Sequence, residues 1–155
     1  MRQNISPITW YGYWTKLNMK KYILLLFLTN ISFSYSQINP KDVEIVRDSF
    51  GVPHIYGKTD ADVAYGLAWS HAEDDFKTIQ QGYLAGNGLL SKHIGINGAG
   101  ADFLTQLIES KETVDKLFGT LDPDFVKIIE AYSQGLNKYA ETHPDEILEK
   151  KLFPI

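Results

Sequence analysis

Val43-Glu44-Ile45-Val46-Arg47-Asp48-Ser49-Phe50-Gly51-Val52-Pro53-His54-Ile55-Tyr56 is the stretch that decides the fold of this chain. Val43 through Arg47 alternates well enough for a strand, Asp48-Ser49-Phe50-Gly51 carries turn chemistry, and Val52 through Tyr56 resumes the extended pattern. Two short strands joined by a tight turn are predicted. Pro53 has no N–H for a ladder, so it belongs at a strand start or on an edge.

After this hairpin the apolar residues change period. Asp60 is placed to cap a helix beginning near Ala61, and Tyr65, Trp69, Ala72, Phe76, Ile79 and Tyr83 recur at alternating steps of four and three. That pattern predicts one long amphipathic helix with an aromatic stripe, ended by Gly86-Asn87-Gly88, which adopts left-handed conformations at little cost. His93 through Gly100 reads as a loop. Phe103, Leu104, Leu107 and Ile108 then form a shorter helical face, continued after a break by Val114, Leu117 and Phe118. Asp122-Pro123 sets a cap before a first-turn proline, and Phe125, Ile128, Ile129, Tyr132, Leu136 and Tyr139 make a further stripe that should end near His143-Pro144. The expected fold class is α+β, mostly helical, with two short N-terminal strands.

The 155 residues are 44% hydrophobic with 3 Trp, 9 Tyr and 8 Phe, which suits one packed domain and argues against disorder. Charge is unevenly placed. Residues 37–155 hold 11 Lys or Arg against 19 Asp or Glu, and a segment this acidic is ill suited to gripping phosphate backbones, so nucleic acid is excluded. With no cysteine, thiolate metal sites, disulfides and thiol nucleophiles are excluded as well.

Met19-Lys20-Lys21 precedes the apolar run Tyr22 through Leu28, which is much shorter than the roughly 20 residues of a spanning helix. Ser34-Tyr35-Ser36 comes next with small residues at both recognition positions, the layout of a secretory signal peptide. Residues 1–36 are therefore read as a signal region, with the start at Met19, cleavage after Ser36 and Gln37 as the mature N-terminus. A buried helix or a retained anchor is the alternative. The signal implies a periplasmic or secreted location, with no stable membrane span after cleavage. The chain stops in the apolar stretch Leu152-Phe153-Pro154-Ile155, so residues 37–155 are expected to be the opening part of something longer.

A search for complete chemistry fails. Serine hydrolysis needs a hydroxyl near a base, yet neither a G-x-S-x-G elbow nor an S-x-x-K motif occurs. Ser70 and His71 are neighbours on a helix and so point in different directions. Gly57-Lys58-Thr59 ends like a phosphate loop, but Val52 stands where the first glycine is required. Gly86-x-Gly88 comes after a helix and not a strand, the wrong context for a dinucleotide. His71 with Asp74 and Asp75 lacks a second ligand pair, so these acids with Glu73 read as a solvated or partner-facing polar face. His54 reads as a hydrogen-bonded structural histidine. The aromatic stripe reads as core in preference to a ligand pocket. No catalytic or metal residue is assigned, and the substrate-binding residues stay unknown.

Arg47-Asp48-Ser49-Phe50-Gly51-Val52-Pro53-His54-Ile55 resembles the R-D-x-x-G-V-P-H-I opening of the penicillin acylase family. Asp62 through Asp74 is similar to that family's Y-G-x-x-x-A-x-A-E-D helix, Gly88 through Gly95 to its next glycine pair, and Ile129 through Asn137 to its Y-x-x-G-x-N helix. The resemblance covers about Val43 to Thr142, with four motifs in order. It implies an N-terminal-nucleophile hydrolase with a four-layer αββα core, made as a precursor that cuts itself into a small alpha and a large beta subunit. A serine freed at the start of the large subunit attacks an N-acyl amide, using its own α-amino group as base. Nucleophile, oxyanion donors and the calcium bound by some members all map beyond Ile155. The downstream large subunit and a small N-acylated substrate are the implied partners. Gly82-Tyr83-Leu84 departs from the arginines of penicillin-cleaving members, and Glu73-Asp74-Asp75-Phe76 is closer to the lactone and lipopeptide branch, which favours an acyl-homoserine lactone over a β-lactam. Two alternatives stand beside this: a non-catalytic exported helical binding module, and an inactive remnant of the same family.

Overall fold

The computed structural model describes residues 37–155. The export signal, its start at Met19 and its cleavage site up to Ser36 lie outside the described residues. From Gln37 the chain runs through a 3-10 turn, Pro40–Asp42, into β1 (Glu44–Arg47) and β2 (Pro53–Tyr56), then α1 (Asp60–Gly86), α2 (Ser91–Ile94), α3 (Ile96–Leu107), α4 (Ser110–Leu117) and α5 (Pro123–Thr142). Short 3-10 turns come last, at Pro144–Glu146 and Lys150–Leu152.

β1 and β2 pair antiparallel, with Ile45 opposite Ile55 and Arg47 opposite Pro53. Pro53 opens its strand, where its missing N–H costs no ladder bond. Gly51 holds φ +83 in the turn, a value that a side chain would strain. The side chains of Ile55 and Val43 reach α1 at Gly66, where an added Cβ would lie 2.6 Å from Ile55 Cγ2 and 2.8 Å from Val43 Cγ1. The hairpin thus rests directly on the helix backbone.

The cap of α1 is Thr59, one residue before the expected Asp60. Its hydroxyl accepts from the Asp62 N–H, and the Asp62 carboxylate accepts from the Thr59 N–H at 2.9 Å, a reciprocal capping box. The signal T-x-x-D was present in the sequence, with aspartate in place of the commoner glutamate. α1 also does not keep one phase. Ala64, Ala68, Ala72, Phe76, Gln80 and Leu84 are buried, whereas Tyr83 is exposed and Ile79 packs at the margin. Steps of four drift about 40° each on a helix of 3.6 residues per turn, so such a row stays on one side only if the helix is reset. The reset is at Asp75, whose φ −161 and ψ 71 interrupt the helix while its Oδ1 accepts from the Thr78 N–H at 3.0 Å and restarts it.

Residues 93–100, expected as a loop, are largely helical. Two glycines inside α3, Gly98 and Gly100, each cost roughly 1 kcal/mol of helix propensity, which is why the sequence reads as a loop. Tertiary contact overrides this. Asp102 accepts from the N–H groups of Leu90 and Ser91 at 2.8 Å each, drawing α3 onto α2, and Gly98 admits the Ser91 backbone where a Cβ would sit only 2.7 Å away. The expected break before Val114 is real, made by Glu109 at φ 50. Phe103, Leu104, Leu107 and Ile108 do share a helical face, but all four are more than half exposed among the described residues.

α5 starts as expected. Asp122 accepts from the N–H groups of Asp124 and Phe125 ahead of Pro123, and the helix ends at Thr142. It crosses α1 with backbone almost touching backbone, since a Cβ on Gly135 would lie 2.4 Å from the Tyr65 carbonyl oxygen and 2.8 Å from Ala68 Cβ. The core on either side of this crossing comprises Ala68, Ala72, Phe76, Leu136, Tyr139 and Ala140 in one cluster, and Ala64, Tyr65 and Ala131 in another.

Two glycines on these helices should respond oppositely to alanine. Gly135→Ala overpacks the crossing and should destabilise by about 1–3 kcal/mol. Gly82→Ala meets nothing within 4 Å and should stabilise by about 0.5–1 kcal/mol through helix propensity alone. The urea midpoint of the helical circular dichroism signal reads both, and equal shifts would contradict the crossing.

Candidate functional site

The residues singled out by sequence gather on the hairpin side of α1. Arg47 leaves the end of β1 and spans three elements: Nη1 donates to the Gly51 carbonyl at 2.8 Å, and Nη2 reaches Asp74 Oδ1 at 2.8 Å, Glu73 Oε2 at 3.1 Å and the Ser70 carbonyl at 3.4 Å. Hydrogen bonds donated to Glu73 and then to Asp74 hold its guanidinium above its ordinary pKa. Glu73 also accepts from Trp69 Nε1 at 2.9 Å. Asp48 closes the turn, its Oδ1 accepting from the N–H groups of Phe50 (2.8 Å) and Val52 (3.0 Å) while Oδ2 faces His54 Nε2 at 3.4 Å. The Val52 bond foremost, then that of Phe50, lowers the Asp48 pKa. The acidic run expected to face solvent or a partner segment is thus tied to the hairpin through Glu73 and Asp74, while Asp75 serves the helix break. His54, read as a hydrogen-bonded structural histidine, stands exposed on β2 beside Asp48.

Ser70 and His71 do not meet. Ser70 is fully buried with its Oγ unpartnered, and the exposed His71 shares a hydrogen bond with the Tyr132 hydroxyl at 3.1 Å. Gly57, in the Gly57-Lys58-Thr59 run that fails as a phosphate loop, makes room for Asp62, since a Cβ there would lie 2.6 Å from Asp62 Cβ. Among the described residues no group of three or more His, Cys, Asp or Glu could hold a metal ion.

A second assembly fixes the C-terminal segment. Trp69, Phe76, Tyr139, His143 and Phe153 form an aromatic cluster in which His143 stacks on Tyr139 with centroids 4.0 Å apart, and burial raises the Tyr139 pKa. Gln80, buried on α1, donates to the Glu146 carbonyl at 3.0 Å and accepts from the Leu148 N–H at 2.8 Å. Asn137 brackets Ile155, donating to its carbonyl at 2.9 Å and accepting from its N–H at 2.8 Å. Sequence reading assigned no role to Gln80 and named Asn137 only as a motif letter. A polar residue four places from Phe76 and four from Leu84, in line with the buried alanines, was the available signal for Gln80. An open groove beside α5 is lined by Tyr65, Gln134, Asn137, Lys138, Glu141 and Pro154, with Gln37 through Pro40 along its rim. Thr142 Oγ1 lies 3.0 Å from His143 Nδ1, but it also bonds the Lys138 and Tyr139 carbonyls at 3.2 and 3.0 Å, and so is held by the last turn of α5.

The family profile described as penicillin amidase matches residues 42–154. Penicillin G acylase of Escherichia coli is 23% identical over 113 residues, 71% of this chain and 13% of that protein. Acyl-homoserine lactone acylase PvdQ of Pseudomonas savastanoi pv. phaseolicola is 24% identical over 103 residues, 61% of this chain and 13% of the relative. Among solved structures, a thermostable penicillin G acylase from Alcaligenes faecalis in a tetragonal form superposes with a TM-score of 0.60 at 23% identity, covering 70% of this chain and 59% of that one. The fold of the described segment is therefore one shared with that structure. The chain spans about an eighth of the length of these curated relatives.

The lowered pKa values of Asp48, Asp75 and Asp102 set a pH dependence. For Asp102 the leading cause is the Ser91 side-chain hydrogen bond. A carboxylate depressed in the fold stabilises it above the ordinary range near pH 4 and ceases to as pH falls through the folded value. Asp102→Asn should accordingly unfold more easily than the parent at pH 7, with the difference closing below about pH 4. A difference independent of pH in acid-unfolding curves would refute the carboxylate's role.

Proposed function

Because this chain belongs to the penicillin amidase family, we propose that it is the opening, non-nucleophilic segment of an exported acylase that hydrolyses the amide bond of an N-acylated small molecule. The profile match over residues 42–154, nearly the whole of the described segment, is the observation that carries this reading. The nucleophile is a serine encoded after Ile155 and freed by precursor cleavage, and its chemistry is that of a hydroxyl activated by an adjacent amine. The present residues contribute a platform. Arg47 locks hairpin to α1, and Asn137 and Gln80 fix the segment after α5 so that the chain continues past Ile155 from a defined place. The exposed face of Phe103, Leu104, Leu107 and Ile108 is then covered by the larger remainder, giving the four-layer core.

The substrate is an N-acyl amide. Both a penicillin acylase and an acyl-homoserine lactone acylase stand among the relatives, at nearly equal identity. The absence of arginine at Gly82-Tyr83-Leu84 tilts the reading toward the acyl-homoserine lactone.

The coding sequence after Ile155 should hold a Gly-Ser or Ala-Ser junction at which the precursor cuts itself. The complete protein should release acid from an N-acyl-homoserine lactone, replacing that junction serine by alanine should leave an uncut precursor with no activity, and residues 37–155 alone should release none. A complete chain without such a junction, or hydrolysis by residues 37–155 alone, would overturn the proposal.

A further inference from the structure

We propose that the groove between Tyr65 and α5 is a binding site for a free α-amino acid with an apolar side chain. The groove holds about 600 Å³, within the usual range of small-molecule sites. Ile38, Pro40 and Pro154 supply its apolar walls. The site stands whether or not the chain belongs to an exported acylase.

The amides that line the groove are already used by the fold. Asn39 accepts from the Lys41 N–H and donates to Asp42, both at 3.2 Å, Gln134 accepts from the Ile38 N–H at 2.9 Å, and Asn137 brackets Ile155. Tyr65 is different. It is 6% exposed, yet its hydroxyl makes no hydrogen bond to any described residue. Its oxygen is not enclosed as Ser70 Oγ is, and so it opens on the groove. A tyrosine buried to this degree normally has its hydroxyl satisfied, which leaves the partner to come from outside the protein. Burial raises its pKa, so the hydroxyl is a protonated donor at neutral pH.

The neighbouring charges select the partner. Lys138 Nζ and Glu141 Oε2 lie 2.9 Å apart on one turn of α5, and both act on the Tyr65 hydroxyl with opposite sign. An α-amino acid carries its carboxylate and ammonium on a single carbon, and so matches a cation and an anion set side by side. Its carboxylate accepts from the Tyr65 hydroxyl and Lys138, its ammonium donates to Glu141, and its side chain lies against Ile38, Pro40 and Pro154. An exposed helical ion pair contributes little on its own, so Lys138 and Glu141 turn to the ligand at small cost. A carboxylic acid without an amine would meet Glu141 uncompensated, and an amine without a carboxylate would meet Lys138 in the same way.

The test is titration of the full-length protein with L-phenylalanine, followed by ligand-observed nuclear magnetic resonance. A dissociation constant on the order of a millimolar is expected for a ligand of this size. Hydrocinnamate, which lacks the ammonium, and phenethylamine, which lacks the carboxylate, should each bind about tenfold more weakly. Tyr65→Phe keeps the ring packed on Ala64 and Ala131 and removes only the hydroxyl, and it should weaken L-phenylalanine about tenfold. Glu141→Gln, on the exposed side of α5, should erase the preference for L-phenylalanine over hydrocinnamate. Absence of binding, the result if water alone meets the hydroxyl, would overturn the proposal. Parental affinity in Tyr65→Phe, or no preference over the two analogues, would overturn it as well.

Discussion

The near-contact of Gly135 with the Tyr65 carbonyl and Ala68 is the constraint on which the rest of the described structure depends. Two helices can approach this closely only where side chains are absent or reduced to methyl, and α1 supplies Ala64, Ala68 and Ala72 along the same row. Close approach brings Phe76, Leu136 and Tyr139 into contact at one end of the crossing and Ala64, Tyr65 and Ala131 at the other. The hairpin adds a second tight contact on α1, at Gly66. α1 is thus gripped on two sides and becomes the axis of the segment.

Polar groups then lock what packing has brought together. Arg47 is the side chain that binds the hairpin turn and the acidic run on α1 at once, and its planar fork suits several acceptors in a way that a lysine would not. Gln80 and Asn137 play the corresponding part for the segment after α5, each satisfying backbone groups distant in sequence. A buried or half-buried amide with both ends used is costly to lose, because its partners are left unpaired. These are the interactions of a scaffold that holds chain segments in place.

Much of this was legible in the sequence where the signal was local. The strand pairing was readable from alternation and from Gly51, and the start of α5 from Asp122-Pro123. The reading faltered where distant contacts decide. Glycines at 98 and 100 say loop until Asp102 is seen to hold the N–H groups of Leu90 and Ser91. The stripe was projected on through Ile79 and Tyr83 because nothing in a helical wheel announces that Asp75 resets the phase. The family motifs were recognised as letters. Their physical content emerged only from packing: Gly66 receives the hairpin, Gly135 receives Tyr65, and Asn137 brackets Ile155. The failed search for catalytic residues was also informative, since Ser70 proves to be buried and His71 is turned to Tyr132.

With the α1–α5 crossing as the stable centre, α3 and α4 form an outer layer with an exposed apolar face. Residue-resolved hydrogen exchange on residues 37–155 measures this directly. The slowest amides should fall in Tyr65–Phe76 and Ala131–Ala140, with those of α3 and α4 exchanging much faster. Strongest protection in α3 and α4, or uniform protection across all the helices, would contradict it.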